Sequence, residues 1–316
     1  MAHDYLDRTT ERISSSASSG VPVVLADAED PDGVTYATET TMDDARRALG
    51  TTLDLVDRLF GASPTTCALQ SPKFAVVRPP GHHACKDEPM GFCILNNIAC
   101  AAMYARNIYG AKPPVLIVDF DLHNGNGTTS IFFDDPEVVV IDIHEELNVY
   151  KQLDEIDDIG ADGTTFNIPL KAGASHSSVI RVCELISSIA GKLRPSLLLV
   201  SAGFDGHAED PFNNRLGKGL NYEERSFREY GRCLRRLAAT HCENRMLVTL
   251  EGGYDIDALS RSCEAFVRGI CEEGTWDEGV ATTGAEAVSL EETAGDVASR
   301  PVLERVRQRV RAMAGR

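Results

Sequence analysis

Residues 115–128, V-L-I-V-D-F-D-L-H-N-G-N-G-T, constrain the fold more than any other stretch of this chain. Val115, Leu116, Ile117 and Val118 form a short unbroken apolar run, the pattern of a strand buried on both faces of a parallel sheet. The run turns polar abruptly. Asp119, Asp121 and His123 fall on alternate positions, and strand side chains alternate between faces, so all three are expected to point to one side as the strand ends. Two carboxylates and an imidazole aimed at one point predict a divalent metal site. Gly125, Asn126 and Gly127 permit a tight turn into a following helix. In open α/β sheets, ligands bind at the carboxyl ends of the strands. Taken alone, the same residues also read as helix caps with His123 packing locally, so the weight rests on the rest of the chain.

The remaining periodicity alternates strand and helix. Strands are predicted at 74–77, 138–143, 165–170, 196–200 and 245–250. Helices are predicted at 42–60, capped by Thr41 or Asp43, and from the Ala-rich segment after residue 91 to about Tyr109. Further helices are predicted at 126–133, 175–192, 223–241 and 258–271, with a basic helix at 301–314. Residues 1–19 read as the end of a helix followed by a Ser-rich loop. The order implies a parallel β-sheet sandwiched between helices, and one domain over residues 1–316. Residues 274–294 read as an exposed acidic insert.

Four strand ends each deliver reactive groups: His82-His83, Asp121 with His123, Asp205, and Tyr254 after the flexible Gly252-Gly253 pair. Together they compose a catalytic zinc site, with Asp121, His123 and Asp205 as the three ligands and a fourth position open to water. A metal lowers the pKa of its bound water toward neutrality. His82 and His83 have the chemistry of a general base, and a phenol at Tyr254 can donate to a developing oxyanion. That set of parts can hydrolyse an amide. A site of two carboxylates and one imidazole accepts ferrous iron as well as zinc. His144, His176, His207 and His241 read as structural or exposed, with His144 and His207 near strand ends.

Composition narrows the partners. The formal net charge is −17 over 316 residues, which argues against direct nucleic-acid binding and suits a basic peptide partner. Nine cysteines without a C-x-x-C pair suggest reduced thiols and an intracellular compartment, cytoplasm, nucleus or organelle. No apolar run is long enough to span a membrane, and the first residues lack the apolar core of a signal peptide.

R-P-P-G-H-H (78–83), G-F-C-x-x-N-N (91–97), D-x-D-x-H-x-G-N-G-T (119–128), S-A-G-F-D-x-H-x-x-D-P (201–211) and E-G-G-Y (251–254) occur in the order found in the zinc-dependent histone deacetylase family. The chain resembles that family, in particular its class II and bacterial or plant branches, with weaker similarity from His3 to Val310. The resemblance implies the arginase–deacetylase α/β fold and hydrolysis of acetyl-lysine in histones or other proteins. It implies that Asp121, His123 and Asp205 bind Zn2+ and that His83, oriented by Asn126, is the general base and acid. It further implies that His82 pairs with Asp119 and that Tyr254 polarises the acetyl carbonyl. Gly91 and Phe92 would line the tunnel for the acyl-lysine stem, with Tyr150 as its second wall. A monovalent cation, K+, would lie near Asp119.

The chain departs from the family's pattern in four places. Asn124 stands where a second His is usual. Residues 149–154, V-Y-K-Q-L-D, replace an aromatic followed by P-G-T-G, which alters the backbone options of the tunnel loop. Asp142 stands where a Ser commonly completes the cation site. His3-Asp4 resembles a segment that normally follows the family's first strand, so one strand and two helices are expected to be lacking and a sheet edge left open. Three other readings compete: a deacetylase of acetylpolyamines or other small amides, a non-catalytic scaffold of the same fold, and a binuclear manganese ureohydrolase. The last needs a bridging carboxylate where the chain has His207.

Overall fold

The alternation of apolar side chains along each strand is satisfied on two sides at once. The computed structural model describes residues 3–19, 22–25, 35–61, 71–146, 153–213, 219–272 and 292–313. The elements before the sheet's centre are α1 (His3–Ser19), β1 (Val23–Val24), β2 (Tyr36–Ala37), α2 (Thr41–Phe60), β3 (Lys73–Ala75) and α3 (Asn97–Tyr109). They are followed by β4 (Val115–Asp119), α4 (Asn126–Phe132), β5 (Val138–Glu145), β6 (Thr165–Leu170) and α5 (His176–Leu193). The chain continues through β7 (Leu197–Ala202), α6 (Glu224–His241), β8 (Met246–Leu250), α7 (Ile256–Cys271) and α8 (Ala294–Ala312).

β3 to β8 form one parallel sheet in the order β3-β8-β7-β4-β5-β6. Every residue of β4 is buried. Leu116 and Val118 pack in one core with α5, α6 and α8, through Val182, Ile186, Phe227, Leu234 and Leu303. Val115 and Ile117 pack in the other with α2 and α3, through Val56, Leu59, Ile98 and Ala102. The sheet is therefore covered on both faces, as an all-parallel sheet requires. Truncating a buried Leu or Ile in either layer to Ala is expected to cost about 2–5 kcal/mol.

The strand order locates the site. From β4 the chain moves outward to β5 and β6, then returns to place β7 on β4's other side before moving away through β8. The crevice between the ends of β4 and β7 is thus a topological switch point. Register aligns those ends: Asp142, Asp119, Ser201 and Thr249 lie side by side on β5, β4, β7 and β8.

α1, the β1–β2 ribbon and the start of α2 bury Tyr5, Ile13, Leu25, Ala37 and Met42 against Ile94 and Leu95. The Tyr5 hydroxyl donates to the Ile94 carbonyl at 2.6 Å. This unit abuts the segment before α3 that carries Phe92, Ile94 and Leu95.

Several element boundaries differ from the sequence reading. α1 is helical through Ser19, so the expected Ser-rich loop is absent there. α2 starts at Thr41 with Thr40 as N-cap and no side-chain cap bond, in place of a cap at Thr41 or Asp43. β5 runs on to include His144. α8 begins at Ala294, well before Pro301, and continues through that proline. A capping box of Thr293 and Asp296 starts it earlier than proline's preference for a helix's first turn suggests. Residues 273–291, most of the expected acidic insert, lie outside the described residues. β3 is the sheet's edge, paired with β8 alone among the described residues. Among those residues no helix is long and apolar enough to cross a membrane.

Candidate metal centre

β4 ends at Asp119, and the next four residues turn across the top of the sheet. The turn brings Asp121 and His123 together with Asp205, which follows β7. His123 Nδ1 lies 3.2 Å from Asp121 Oδ1 and 3.1 Å from Asp205 Oδ2. One ligand-competent atom from each of the three lies within 4.8 Å of the others. The carboxylates are held by backbone amides: Gly252 donates to Asp121 Oδ2 at 2.8 Å, and Leu122 to Asp205 Oδ1 at 3.0 Å. Two glycines let the chain come this close. A Cβ at Gly203 would stand 2.0 Å from Asp121 Oδ2, and one at Gly252 would stand 2.5 Å from Asp205 Oδ2.

This donor set fits a divalent cation. Both carboxylates are fully buried, and without an ion His123 must carry the compensating charge. Burial opposes that charge, yet Asp121 and Asp205 outweigh it and raise the His123 pKa to about 10. Burial, with the charge of Asp121, pushes Asp205 up to about 6. A metal can take the place of that proton on the imidazole nitrogen. Three ligands from carboxylates and one imidazole is the count of a catalytic zinc site.

His82 and His83 stand beside this cluster with ring centroids 3.9 Å apart and different partners. His82 Nδ1 lies 3.0 Å from Asp119 Oδ2, and His83 Nδ1 lies 2.7 Å from Asn126 Oδ1. Both imidazoles are buried. Burial works against charging His82, but Asp119 and Asp121 prevail and its pKa lies well above the ordinary value. For His83, burial acts in the same direction as its cationic neighbours His82 and His123, and its pKa falls well below the ordinary value. The Asn126 oxygen can only accept, so Nδ1 of His83 carries the proton and Nε2 is left as an acceptor.

Asp119, the first residue of the expected metal-facing trio, is engaged elsewhere. Its Oδ1 accepts from the Asp121 amide at 3.1 Å and its Oδ2 faces His82. Asp142 occupies the neighbouring strand position, takes the Gly125 amide at 2.8 Å and pairs with His144 Nδ1 at 2.6 Å. Asn124 approaches that same imidazole at 3.5 Å.

Tyr254 projects from the turn after β8. The Asp210 carboxylate accepts from the amides of Tyr254 and Asp255 at 2.7 and 3.1 Å. Arg78 donates to the Gly253 carbonyl at 3.0 Å and lies over the Tyr254 ring at 5.6 Å. Burial, reinforced by Asp205 and Asp121, raises the phenol's pKa well above its ordinary value, which keeps it a donor. Phe92 stands 6.1 Å from the Tyr254 ring, and both Gly91 and Phe92 have positive φ. The Phe92 amide donates to Thr35 Oγ1 at 3.1 Å. Tyr150, the expected second wall, lies outside the described residues. Phe212 was not anticipated: its ring packs 4.1 Å from Tyr254 and 6.1 Å from Phe92. Its place directly after the D-P of the 201–211 motif was the only sequence signal.

The other histidines stay apart from the ligand trio. His207 accepts from the Glu209 amide through Nδ1 and stacks on Phe227, so it supplies no bridge to a second metal at Asp205. A second group of ligand types, His82, Cys93 and Glu251, has atoms within 4.8 Å of one another.

Residues 2–270 match the histone deacetylase domain family. Over 238 residues the chain is 40% identical to the chloroplastic histone deacetylase 10 of Oryza sativa subsp. japonica, covering 73% of this chain and 51% of that one. It is 38% identical over 246 residues to the chloroplastic histone deacetylase 14 of Arabidopsis thaliana, covering 76% and 56%. The chain thus spans roughly half the length of these curated relatives. The crystal structure of the HDA15 HD domain superposes with a TM-score of 0.78 at 28% identity, covering 99% of this chain and 78% of that one. Its parallel sheet flanked by helices is the arginase–deacetylase arrangement.

Proposed function

The chain belongs to the histone deacetylase family, and from that membership we propose that it hydrolyses the acetyl amide of acetyl-lysine in histones or other proteins. Asp121, His123 and Asp205 hold the metal, read as zinc. When bound there, the ion supplies positive charge that acidifies water and polarises an acyl carbonyl.

The observation that carries the reading is a pair of adjacent imidazoles with different partners, Asp119 for His82 and Asn126 for His83, beside a three-ligand cluster. His83, neutral with Nε2 as its acceptor nitrogen, takes a proton from the attacking water and later returns it to the leaving amine. His82, kept charged by Asp119, stabilises negative charge without giving up its proton. The Tyr254 hydroxyl donates to the carbonyl oxygen as it becomes an oxyanion. Gly91, Phe92 and Tyr150 are assigned to the tunnel for the lysine stem, with Phe212 added beside Tyr254. K+ near Asp119 and a single domain over residues 1–316 belong to the same reading.

The test is turnover of an acetyl-lysine peptide by purified protein with metal content measured on the same sample. Tyr254→Phe should lower kcat by about 100- to 1000-fold with about one metal per chain retained. Metal without turnover of the peptide, but with turnover of an acetylated polyamine, would transfer the activity to small amides. Metal without turnover of either would leave a scaffold.

A further inference from the structure

We propose that Glu251 is a positioning residue that sets the two catalytic histidines in register with the metal ligands. The proposal rests on the deacetylase reading above and adds a residue to it.

Glu251 follows β8 directly and is completely buried. It accepts four hydrogen bonds. Its Oε2 takes the amides of Gly81 at 2.7 Å and His82 at 3.2 Å. Its Oε1 takes the hydroxyls of Ser201 and Thr249, each at 3.1 Å. Those hydroxyls are paired in register at the ends of β7 and β8. One oxygen therefore grips the rigid sheet and the other grips the loop that carries the histidine pair.

The loop needs such an anchor. Pro79 and Pro80 have no amide hydrogen, so Gly81 and His82 offer the first donors after them. The next amide, that of His83, is taken by Cys93 Sγ at 3.4 Å, and the thiol in turn donates to the Gly91 carbonyl. Burial, then the nearby Glu251 charge, pushes the Cys93 thiol well up, so it stays protonated. Three successive amides, at residues 81–83, thus end on two buried side chains. This accounts for the His82–Cys93–Glu251 group without a second metal. Glu251 spends both oxygens on donors, Cys93 remains a thiol, and His82 Nδ1 is turned to Asp119.

The function of such an anchor is geometric. A shift of about 1 Å in a catalytic base costs on the order of 100-fold in rate. Glutamine at 251 can copy the arrangement, its carbonyl oxygen facing the two amides and its NH2 facing two hydroxyls that can accept. Alanine cannot, and it leaves two buried amides unpaired.

The test compares Glu251→Gln and Glu251→Ala on an acetyl-lysine peptide, with metal content and imidazole proton NMR on the same samples. Positioning requires that Glu251→Ala lose about 100-fold in kcat with KM and metal content held, and that Glu251→Gln stay within about tenfold of the parent. The Nδ1 proton signals of His82 and His83 should survive in the glutamine variant and broaden or move in the alanine variant. Equal losses in both variants would mean that charge, not position, is what Glu251 supplies. Retained kcat in a folded Glu251→Ala protein would mean that it is structural only. Either result overturns the proposal. If Glu251→Ala does not fold, Ser201→Ala with Thr249→Val frees Oε1 and should lower kcat by an intermediate factor; an unchanged kcat there would also overturn it. If the parent turns over no acetylated substrate, the deacetylase reading fails while the NMR comparison still decides the role of Glu251.

Discussion

Two neighbouring histidines acquire opposite charge preferences: at His82 the carboxylates of Asp119 and Asp121 prevail over burial, whereas at His83 burial and the positive charge of His82 and His123 act together. That contrast carries a prediction about pH. The depressed pKa of His83 means that its base form persists as pH falls through the ordinary imidazole range, so the acid limb of kcat/KM should lie below 6.5. Asn126→Asp would place a negative charge 2.7 Å from Nδ1, favour the protonated imidazole and move that limb upward by about one unit. An unmoved limb would assign the titration to a group other than His83. The glycines at the cluster make a second prediction. Gly252→Ala puts a methyl 2.5 Å from Asp205 Oδ2 and 2.6 Å from Asp121 Oδ2, which requires one ligand to move. Elemental analysis should find well under one metal per chain in a variant that remains folded; full occupancy would show that the backbone relaxes instead. Phe212 and Glu251 had no comparable signal in the sequence. An aromatic after D-P and a Glu before two glycines become meaningful only when distant loops close on them.

At the scale of elements, the Asp296 side chain ties the start of α8 to the start of α5. Asp296 accepts from the amides of Ser175, Ser178 and Thr293 at 2.8, 3.0 and 2.9 Å and from three hydroxyls. It caps its own helix and the start of α5 together. Asp296→Ala should destabilise the protein by about 2–3 kcal/mol in urea titrations, because buried donors are left without acceptors. Burial alone would raise its pKa, but these donors prevail and lower it to about 2. A depressed folded-state pKa gives stability that is complete above the ordinary 3.8 and is lost as pH falls toward about 2. The urea midpoint of the parent should therefore fall across that window more steeply than that of Asp296→Asn. This device also explains why the start of α8 was misplaced in the sequence reading. The pattern shows Pro301 as a conspicuous start signal, whereas the Thr293–Asp296 capping box is a quieter local one and its support from Ser175 and Ser178 comes from more than a hundred residues away.

At the scale of the whole molecule, the sheet is covered on both faces among the described residues, and its edge strand β3 pairs with β8 alone. Just past that edge Val76 is 69% exposed, and Ile256 at the start of α7 is 82% exposed. An uncovered strand edge with apolar neighbours favours pairing with another chain. Val76→Lys should lower self-association in light scattering at high protein concentration, and equal scattering from the two proteins would show that this edge takes no part. The sequence by itself determined the strand–helix alternation and marked Asp121, His123, Asp205 and the histidine pair as candidate site residues, because apolar periodicity and ligand chemistry are local properties of the chain. Only the tertiary structure decided that β4 and β7 lie side by side at the switch point and that Asp119 serves His82. It alone shifted the pKa values of His82 and His83 in opposite directions and made Glu251 the link between sheet and loop. Those outcomes depend on which buried groups come within about 3 Å of one another, and a linear pattern does not encode that distance.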